Sequence, residues 1–453
     1  VKTASSITLL SPSSCDNTLN ASEQDQVILF LEKEWDVGGG SIYDINAGNL
    51  LTMRNIGRVY GLSLKPISRI GVVAEIAGSR IHHPSTNFLC SRTRVRWGLR
   101  HIANIKPSHI ITTINPETCE CLRGIPRDVI RFGVLHTMDR EGLEWARVYE
   151  DLFDKIICVS CELKHLAISL APELSDKILV IPPIITKPEK GYIKSTNTDK
   201  PLMLLYLGRF EEASKRIKSI PRIALALKNM GIPFKWTVAG EGREQQFLES
   251  EINRLRLDNE INIIKPIHPS LLGELFKVHD VIVSTSDSES FGMSVHEAIS
   301  WGLVPIAGKT SGKLDTTIIK AGGFLVDPDF PDEFAKAMEI LANNRPLLAT
   351  LSKRGANTIL EILENRNDLT DWPSCFKAIQ EIKKSSILNF NQSPLIPIPR
   401  YLVKQSKFTN ILQVSLYSIL NLIDLASLRL SDRLFFTLRN VRIICFRGKL
   451  LAI

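Results

Sequence analysis

Short apolar runs followed by residues with helical spacing recur along most of this chain, at 26–32, 70–75, 109–114, 132–136, 154–160, 178–181, 204–209, 236–242, 280–284 and 303–307. Runs of this length read as buried strands, and strands alternating with helices build parallel, doubly wound domains. At 453 residues the chain has material for two such domains. Ligands of open α/β sheets bind beyond the carboxyl ends of the strands, so the residues just after each run are the first candidates for function.

The richest of these ends follows the run at 280–284. There Ser288-Glu289-Ser290-Phe291-Gly292-Met293-Ser294-Val295-His296-Glu297 leads from the strand into a predicted helix at 293–301. Phe291, Gly292, Met293 and Ser294 sit at the helix start, where unpaired backbone N–H groups and the positive dipole end favour an anion such as a pyrophosphate. Glu289 stands before the turn and can accept from sugar hydroxyls. Glu297, about two helical turns in, can hold a diol such as the ribose hydroxyls, because an ionised carboxylate only accepts. A pair of glutamates at this spacing is by itself more often a solvated helix face.

The other strand ends supply context. The run at 204–209 ends in Gly208-Arg209, with Lys215 six residues on, ahead of a helix expected from about Ile217. Two cations at one strand end suit a diphosphate, Arg through its planar fork and Lys as a point charge. The run at 236–242 enters a tight Gly240-Glu241-Gly242 turn, and the strand at 303–307 is followed by Thr310-Ser311-Gly312.

Arg209, Lys215, the Ala239-Gly240-Glu241-Gly242 turn, the Glu289-x7-Glu297 element, Gly302-Leu303-Val304-Pro305-Ile306-Ala307 and Gly322-Gly323-Phe324-Leu325-Val326-Asp327-Pro328 occur in an order that resembles the retaining GT-B glycosyltransferases. That family includes bacterial mannosyl- and glucosyltransferases and sucrose and glycogen synthases. The resemblance covers 201–344 and implies two Rossmann-like domains facing across a cleft, the second binding a nucleotide-sugar donor. By resemblance, Arg209 and Lys215 neutralise the diphosphate, Glu289 contacts the donor sugar, Glu297 holds the ribose, and the backbone of 291–294 lines sugar and phosphate. Gly208 matches the glycine that lets backbone approach the donor. The implied boundaries are an N-terminal segment at 1–24, an acceptor domain at 25–198, a donor domain at 199–370, a cross-over helix and linker at 371–399, and a tail at 400–453.

In the N-terminal half, Gly38-Gly39-Gly40 follows the first strand and opens a helical stretch expected from 42 to about 60. Glycine here lets backbone approach a phosphate with no Cβ in the way, so Gly39 and Gly40 join the donor-binding candidates. A plain flexible loop is the competing reading. His136 ends the strand at 132–136 and is the one catalytic-side histidine, placed to contact the donor sugar or orient the acceptor. His296 reads as packing, and the His82-His83 pair as loop.

No Asp-x-Asp pair stands at a strand end. Arg209, Lys215 and the helix start are therefore expected to stabilise the leaving nucleoside diphosphate with no metal and no other cofactor. The resemblance implies retention of anomeric configuration, by front-face displacement through an oxocarbenium-like transition state. Retention through a carboxylate pair is the glycosidase solution, and only Glu289 is placed for it. The expected acceptor is a saccharide or lipid-linked hydroxyl in envelope or exopolysaccharide synthesis. A nucleotide-sugar 2-epimerase of the same fold, and a non-catalytic glycan- or membrane-binding relative, are the alternatives.

Charge adds a second theme. The net charge is +8, yet 400–453 carries nine Lys or Arg against Asp424 and Asp432, a net of +7. Leucines and isoleucines recur there at helical spacing, a pattern that suits an anionic membrane surface, with ordinary packing as the competing reading. A nucleic-acid partner is not expected. A second basic run, Arg92, Arg94, Arg96 and Arg100, faces lipid or an anionic acceptor, or is a solvated helix face. Asn410, Asn421 and Asp424 interrupt the longest apolar stretch of the tail, which argues against a membrane span. The eight cysteines form no evident disulfide framework. Cys119, Cys121, Cys158 and Cys161 have spacings open to zinc, but Cys158 falls in a predicted strand. No signal peptide is read at 1–23, and the expected compartment is the cytoplasm, with the tail on the inner face of the membrane.

Overall fold

The computed structural model describes residues 26–35, 38–67, 75–86, 90–189, 200–310, 312–364 and 371–376. The 400–453 tail, most of the 371–399 linker, and the strand expected at 70–75 apart from Glu75 lie outside the described residues.

The strands run β1 (Val27–Glu32), β2 (Arg58–Ser63), β3 (Glu75–Ile76), β4 (Ser79–Arg80), β5 (His109–Thr113), β6 (Ile130–Leu135), β7 (Lys155–Cys158), β8 (Ile178–Val180), β9 (Leu202–Leu207), β10 (Phe234–Ala239), β11 (Ile261–Ile264), β12 (Val281–Ser284), β13 (Val304–Gly308) and β14 (Phe324–Val326). The helices of the first half are α1 (Gly39–Met53), α2 (Ser91–Ile105), α3 (Pro116–Arg123), α4 (Arg140–Val148) and α5 (Cys161–Leu170). Those of the second half are α6 (Glu212–Lys215), α7 (Ser219–Asn229), α8 (Gln245–Arg254), α9 (Leu272–Lys277), α10 (Met293–Ser300), α11 (Lys313–Ala321), α12 (Pro331–Asn343) and α13 (Arg345–Glu364).

Two six-stranded sheets result, in the orders β2-β1-β5-β6-β7-β8 and β11-β10-β9-β12-β13-β14, with β3 and β4 as a separate antiparallel ribbon. Every pairing within the two large sheets is parallel. Parallel sheets are covered on both faces, which is why β1, β6 and β12 are apolar apart from Glu32, Arg131 and Ser284 and buried throughout or nearly so. The order of each sheet reverses beside its first strand, at β1/β5 and β9/β12, and such a switch point leaves a crevice at the carboxyl ends.

Two expectations change. The helix expected to reach about residue 60 ends at Met53; Asn55 turns into the left-handed region (φ 55°), and Arg58 begins β2, paired with β1 from Val27↔Arg58 onward. The basic run on α2 loses a member, because Arg94 is buried and makes a two-pronged ion pair with Glu117, Nε and Nη2 each lying 2.7 Å from a carboxylate oxygen. That guanidinium holds the Glu117 carboxyl down at about 2 against the pull of burial. Arg96 and Arg100 stay exposed on the same helix. Cys119, Cys121 and Cys158 are buried as small apolar residues, and burial pushes the Cys158 thiol up to about 12.

Candidate active site

A cleft of about 700 Å³ lies between the carboxyl ends of the two sheets. Its walls include Gly38, Gly39, Gly40 and His136 from the first domain, and Gly208, Arg209, Lys215, Glu289, Phe291, Gly292, Met293, Ser294 and Glu297 from the second. Apart from Gly38, these are the twelve residues assigned from sequence to catalysis or donor binding, and all of them line this one space. They come from elements up to 258 positions apart in the chain, so their convergence is a property of the fold.

The helix starts explain why the cleft suits an anion. On the first domain Asn115 caps α3, Asp139 caps α4 and Ser160 caps α5, each through its side chain. α1 and α10 begin at Gly38 and Gly292, with no side-chain cap. A helix start with no side-chain cap can offer first-turn N–H groups to an outside acceptor, although in α10 the Val295 N–H already donates to the Gly292 carbonyl at 3.1 Å. Gly292 takes φ 76°, a left-handed turn that a Cβ would strain, and this aims the start of α10 into the cleft. Across the gap a Cβ on Gly39 would lie 3.8 Å from Met293 Sδ, so the two helix starts approach closely where glycine leaves room.

The charged groups are already partnered with one another. Lys215 Nζ donates to Glu289 Oε1, which also accepts from Ser286 Oγ at 3.1 Å. The residues assigned separately to diphosphate and sugar therefore form a direct pair, both largely shielded from solvent. Arg209 is 54% exposed and lies 3.4 Å from Glu211, so it is free to swing toward an anion.

Glu297 differs from the sequence expectation of an ordinary ionised carboxylate. It is 6% exposed, and burial pushes its pKa up to about 7 against the lowering effect of two hydrogen bonds from Thr186. Near neutral pH it is divided between acid and carboxylate. Those bonds, from Thr186 N at 3.0 Å and Oγ1 at 2.9 Å, both end on Oε1. Thr186 lies between the sheets, in a stretch without a motif, and sequence reading missed it.

His136 immediately follows β6. Its Nε2 is buried with no partner among the described residues, and burial lowers its pKa to about 4. The ring packs edge-on to Tyr43 at 5.1 Å, and a Cβ on Gly40 would come within 3.5 Å of it. Ser290 Oγ donates to the His136 carbonyl, a direct link between the two domains beside the cleft. His296, on α10, is satisfied internally: Nδ1 lies 3.0 Å from the Gly292 carbonyl and Nε2 2.9 Å from Thr317 Oγ1.

Residues 190–358 match the family described as Glycosyl transferases group 1. The fold is GT-B, and the family match lies in the second domain. The GT-B chain superposes on sucrose-phosphate synthase from Thermosynechococcus elongatus with a TM-score of 0.63 at 17% identity, covering 80% of this chain and 100% of the other. Anabaena HepE, solved with UDP-glucose, gives a TM-score of 0.60 at 17% identity over the same shares of the two chains. In sequence, the GT-B chain is 27% identical over 168 residues to a D-inositol 3-phosphate glycosyltransferase of Geodermatophilus obscurus, which is 34% of this chain and 36% of that one. It is 25% identical over 225 residues to an uncharacterized glycosyltransferase of Methanocaldococcus jannaschii, 46% of this chain and 56% of that one. The chain thus spans between about a third and just over half of the curated relatives it matches. Among the described residues, no helix is long and apolar enough to cross a membrane.

Proposed function

We propose that the chain transfers a sugar from a nucleotide-sugar donor to a hydroxyl acceptor, with retention of anomeric configuration and without a metal ion. The observation that carries this reading is the cleft itself, which gathers Arg209, Lys215, Glu289, Glu297 and the uncapped start of α10 at the carboxyl ends of parallel strands. The diphosphate would sit at the α10 start between the two cations, and the ribose on Glu297. Pro266, Ile267, Pro269 and Leu272 give an apolar wall for the base. The Lys215–Glu289 pair then works as a unit: as Lys215 turns to phosphate, Glu289 is released to the sugar hydroxyls.

His136, held near pKa 4, is neutral at pH 7. It can exchange a hydrogen bond with a sugar hydroxyl but adds no charge to stabilise the leaving group. That task falls to Arg209, Lys215 and the helix start, whose fixed dipoles and charges need no reorganisation. The leaving phosphate would accept the acceptor's proton. HepE binds UDP-glucose, and that ligand class supports the donor reading here. The acceptor we propose is a saccharide or lipid-linked hydroxyl of an envelope glycan, met at the cytoplasmic face of the membrane.

Incubation with a panel of labelled UDP- and GDP-sugars, with and without a lipid extract, tests the proposal. Acceptor-dependent product of unchanged anomeric configuration is expected, insensitive to EDTA. Arg209→Ala should lower kcat by about 100-fold through lost charge stabilisation at the leaving group. An isomerised sugar nucleotide formed without acceptor would identify an epimerase instead, and the absence of both turnover and donor hydrolysis across the panel would sink the enzymatic reading.

A further inference from the structure

The segment between the two sheets is tied to both domains by side chains. From α1 of the first domain, Tyr43 OH donates to the Ile181 carbonyl at 3.0 Å, and Asn46 Nδ2 donates to the Ile184 carbonyl at 2.9 Å. Two residues on, Thr186 turns to the second domain and donates twice to Glu297 Oε1. Ser300 Oγ, one helical turn beyond Glu297, lies 3.3 Å from the Thr186 carbonyl and 2.7 Å from that of Glu297. Tyr43, Asn46, Pro183 and Thr186 all line the cleft.

We infer that Thr186 is a positioning residue for the diol-binding glutamate, fixing Glu297 so that one carboxylate oxygen is spent on the protein and the other is presented to vicinal hydroxyls. This rests on the donor-site reading above. The argument is one of acceptor supply. A buried carboxyl group tends to take up a proton, and a protonated one turns an acceptor oxygen into a donor. Hydrogen bonds delivered to the charged form oppose that tendency. Thr186 delivers two, and both go to the same oxygen. With Oε1 saturated by a backbone N–H and a hydroxyl, the rotamer is pinned and Oε2 remains as the acceptor for ligand. Because the same segment is bolted to α1 through Ile181 and Ile184, the orientation of Glu297 is also set by the first domain, whose glycine run starts that helix.

The decisive readout is discrimination of the ribose. Binding of UDP and GDP is measured by calorimetry beside their 2′,3′-dideoxy counterparts, on wild type, Thr186→Val, Thr186→Ser and Glu297→Gln, with thermal melts to confirm folding. Wild type should prefer the ribonucleotide. Thr186→Val, which keeps the backbone N–H, should lose about tenfold in ribonucleotide affinity. It should leave dideoxy affinity nearly unchanged, and Thr186→Ser should restore the preference. A purely structural role for Thr186 would weaken both ligands alike, and that result overturns the inference. So does a Thr186→Val protein with undiminished ribose preference while Glu297→Gln has lost it. If wild type binds neither diphosphate, or does not distinguish ribose from dideoxyribose, the placement of the donor on Glu297 fails first and takes the inference with it.

Discussion

His296 and Glu297 are neighbours in the chain, both buried on α10, and their acid–base consequences have opposite sign. Burial lowers His296 to about 4, below the unfolded value near 6.5, so acidification charges the unfolded chain first and stability is lost as pH falls from 6.5 to 4. The cost is on the order of 3 kcal/mol at the acid end. Glu297 is raised to about 7, so its contribution is fully present below about 4.5 and is lost as pH rises through 7. Thermal melts should therefore show His296→Gln narrowing the drop in Tm between pH 7 and 4.5. Glu297→Gln should raise Tm at pH 8 with little effect at pH 4.5; a pH-independent shift for either variant would mean that titration is not the cause. Asp44, buried beside Glu32, carries the same sign as Glu297, since burial and that neighbouring carboxylate push it up. Residue types were legible in the sequence because chemistry belongs to side chains. Pairings were not: Lys215 meets Glu289 across 74 positions, and Thr186 meets Glu297 across 111, distances that only the fold closes.

At the scale of elements, the turn after β10 shows what a motif stands for. Gly240 has φ 152°, and a Cβ there would fall 1.9 Å from the Gly208 carbonyl; one on Gly242 would fall 2.2 Å from that of Phe210. The turn is glycine-rich because it lies directly against the loop that carries Arg209. Gly240→Ala should cost about 3 kcal/mol or more. Gly231→Ala, at φ 72° with nothing within 4 Å, should cost only about 1 to 2 kcal/mol. Equal losses in thermal stability would contradict the close approach. Buried central strands such as β1, β9 and β12 were readable because a parallel sheet leaves a nearly continuous apolar run; in β6 the run starts only after Arg131. β2 was not, because helical spacing continues past the true stop at Met53, and the signals that end it, Asn55 and Gly57, are single residues. β11 and β14 are edge strands of four and three residues, too short to carry a period.

At the scale of the whole molecule, the described residues cross between domains twice. After α13 it returns to the first domain, where Trp372, Cys375 and Phe376 are buried. Trp372 packs against Phe132 at 5.6 Å and Tyr43 at 6.3 Å, and Phe376 lies 4.7 Å from His109. Trp372→Ala should cost about 3 to 5 kcal/mol. Hydrogen exchange should show the loss in β1, β5 and β6 while β9, β10 and β12 keep their protection; uniform deprotection would mean that the domains unfold as one. The two-domain plan was legible from the strand count; a return crossing at 371–399 was expected from the resemblance, while the three side chains that anchor it, Trp372, Cys375 and Phe376, have no pattern of their own. The first crossing has a consequence for recombination. Ile181 and Ile184 are held by α1, and Thr186 by α10. A graft that exchanges one half of this protein for that of another GT-B protein thus has a natural seam between 184 and 186. Joined earlier, it replaces the backbone whose carbonyls Tyr43 and Asn46 bond; joined later, it separates Glu297 from the threonine that came with it.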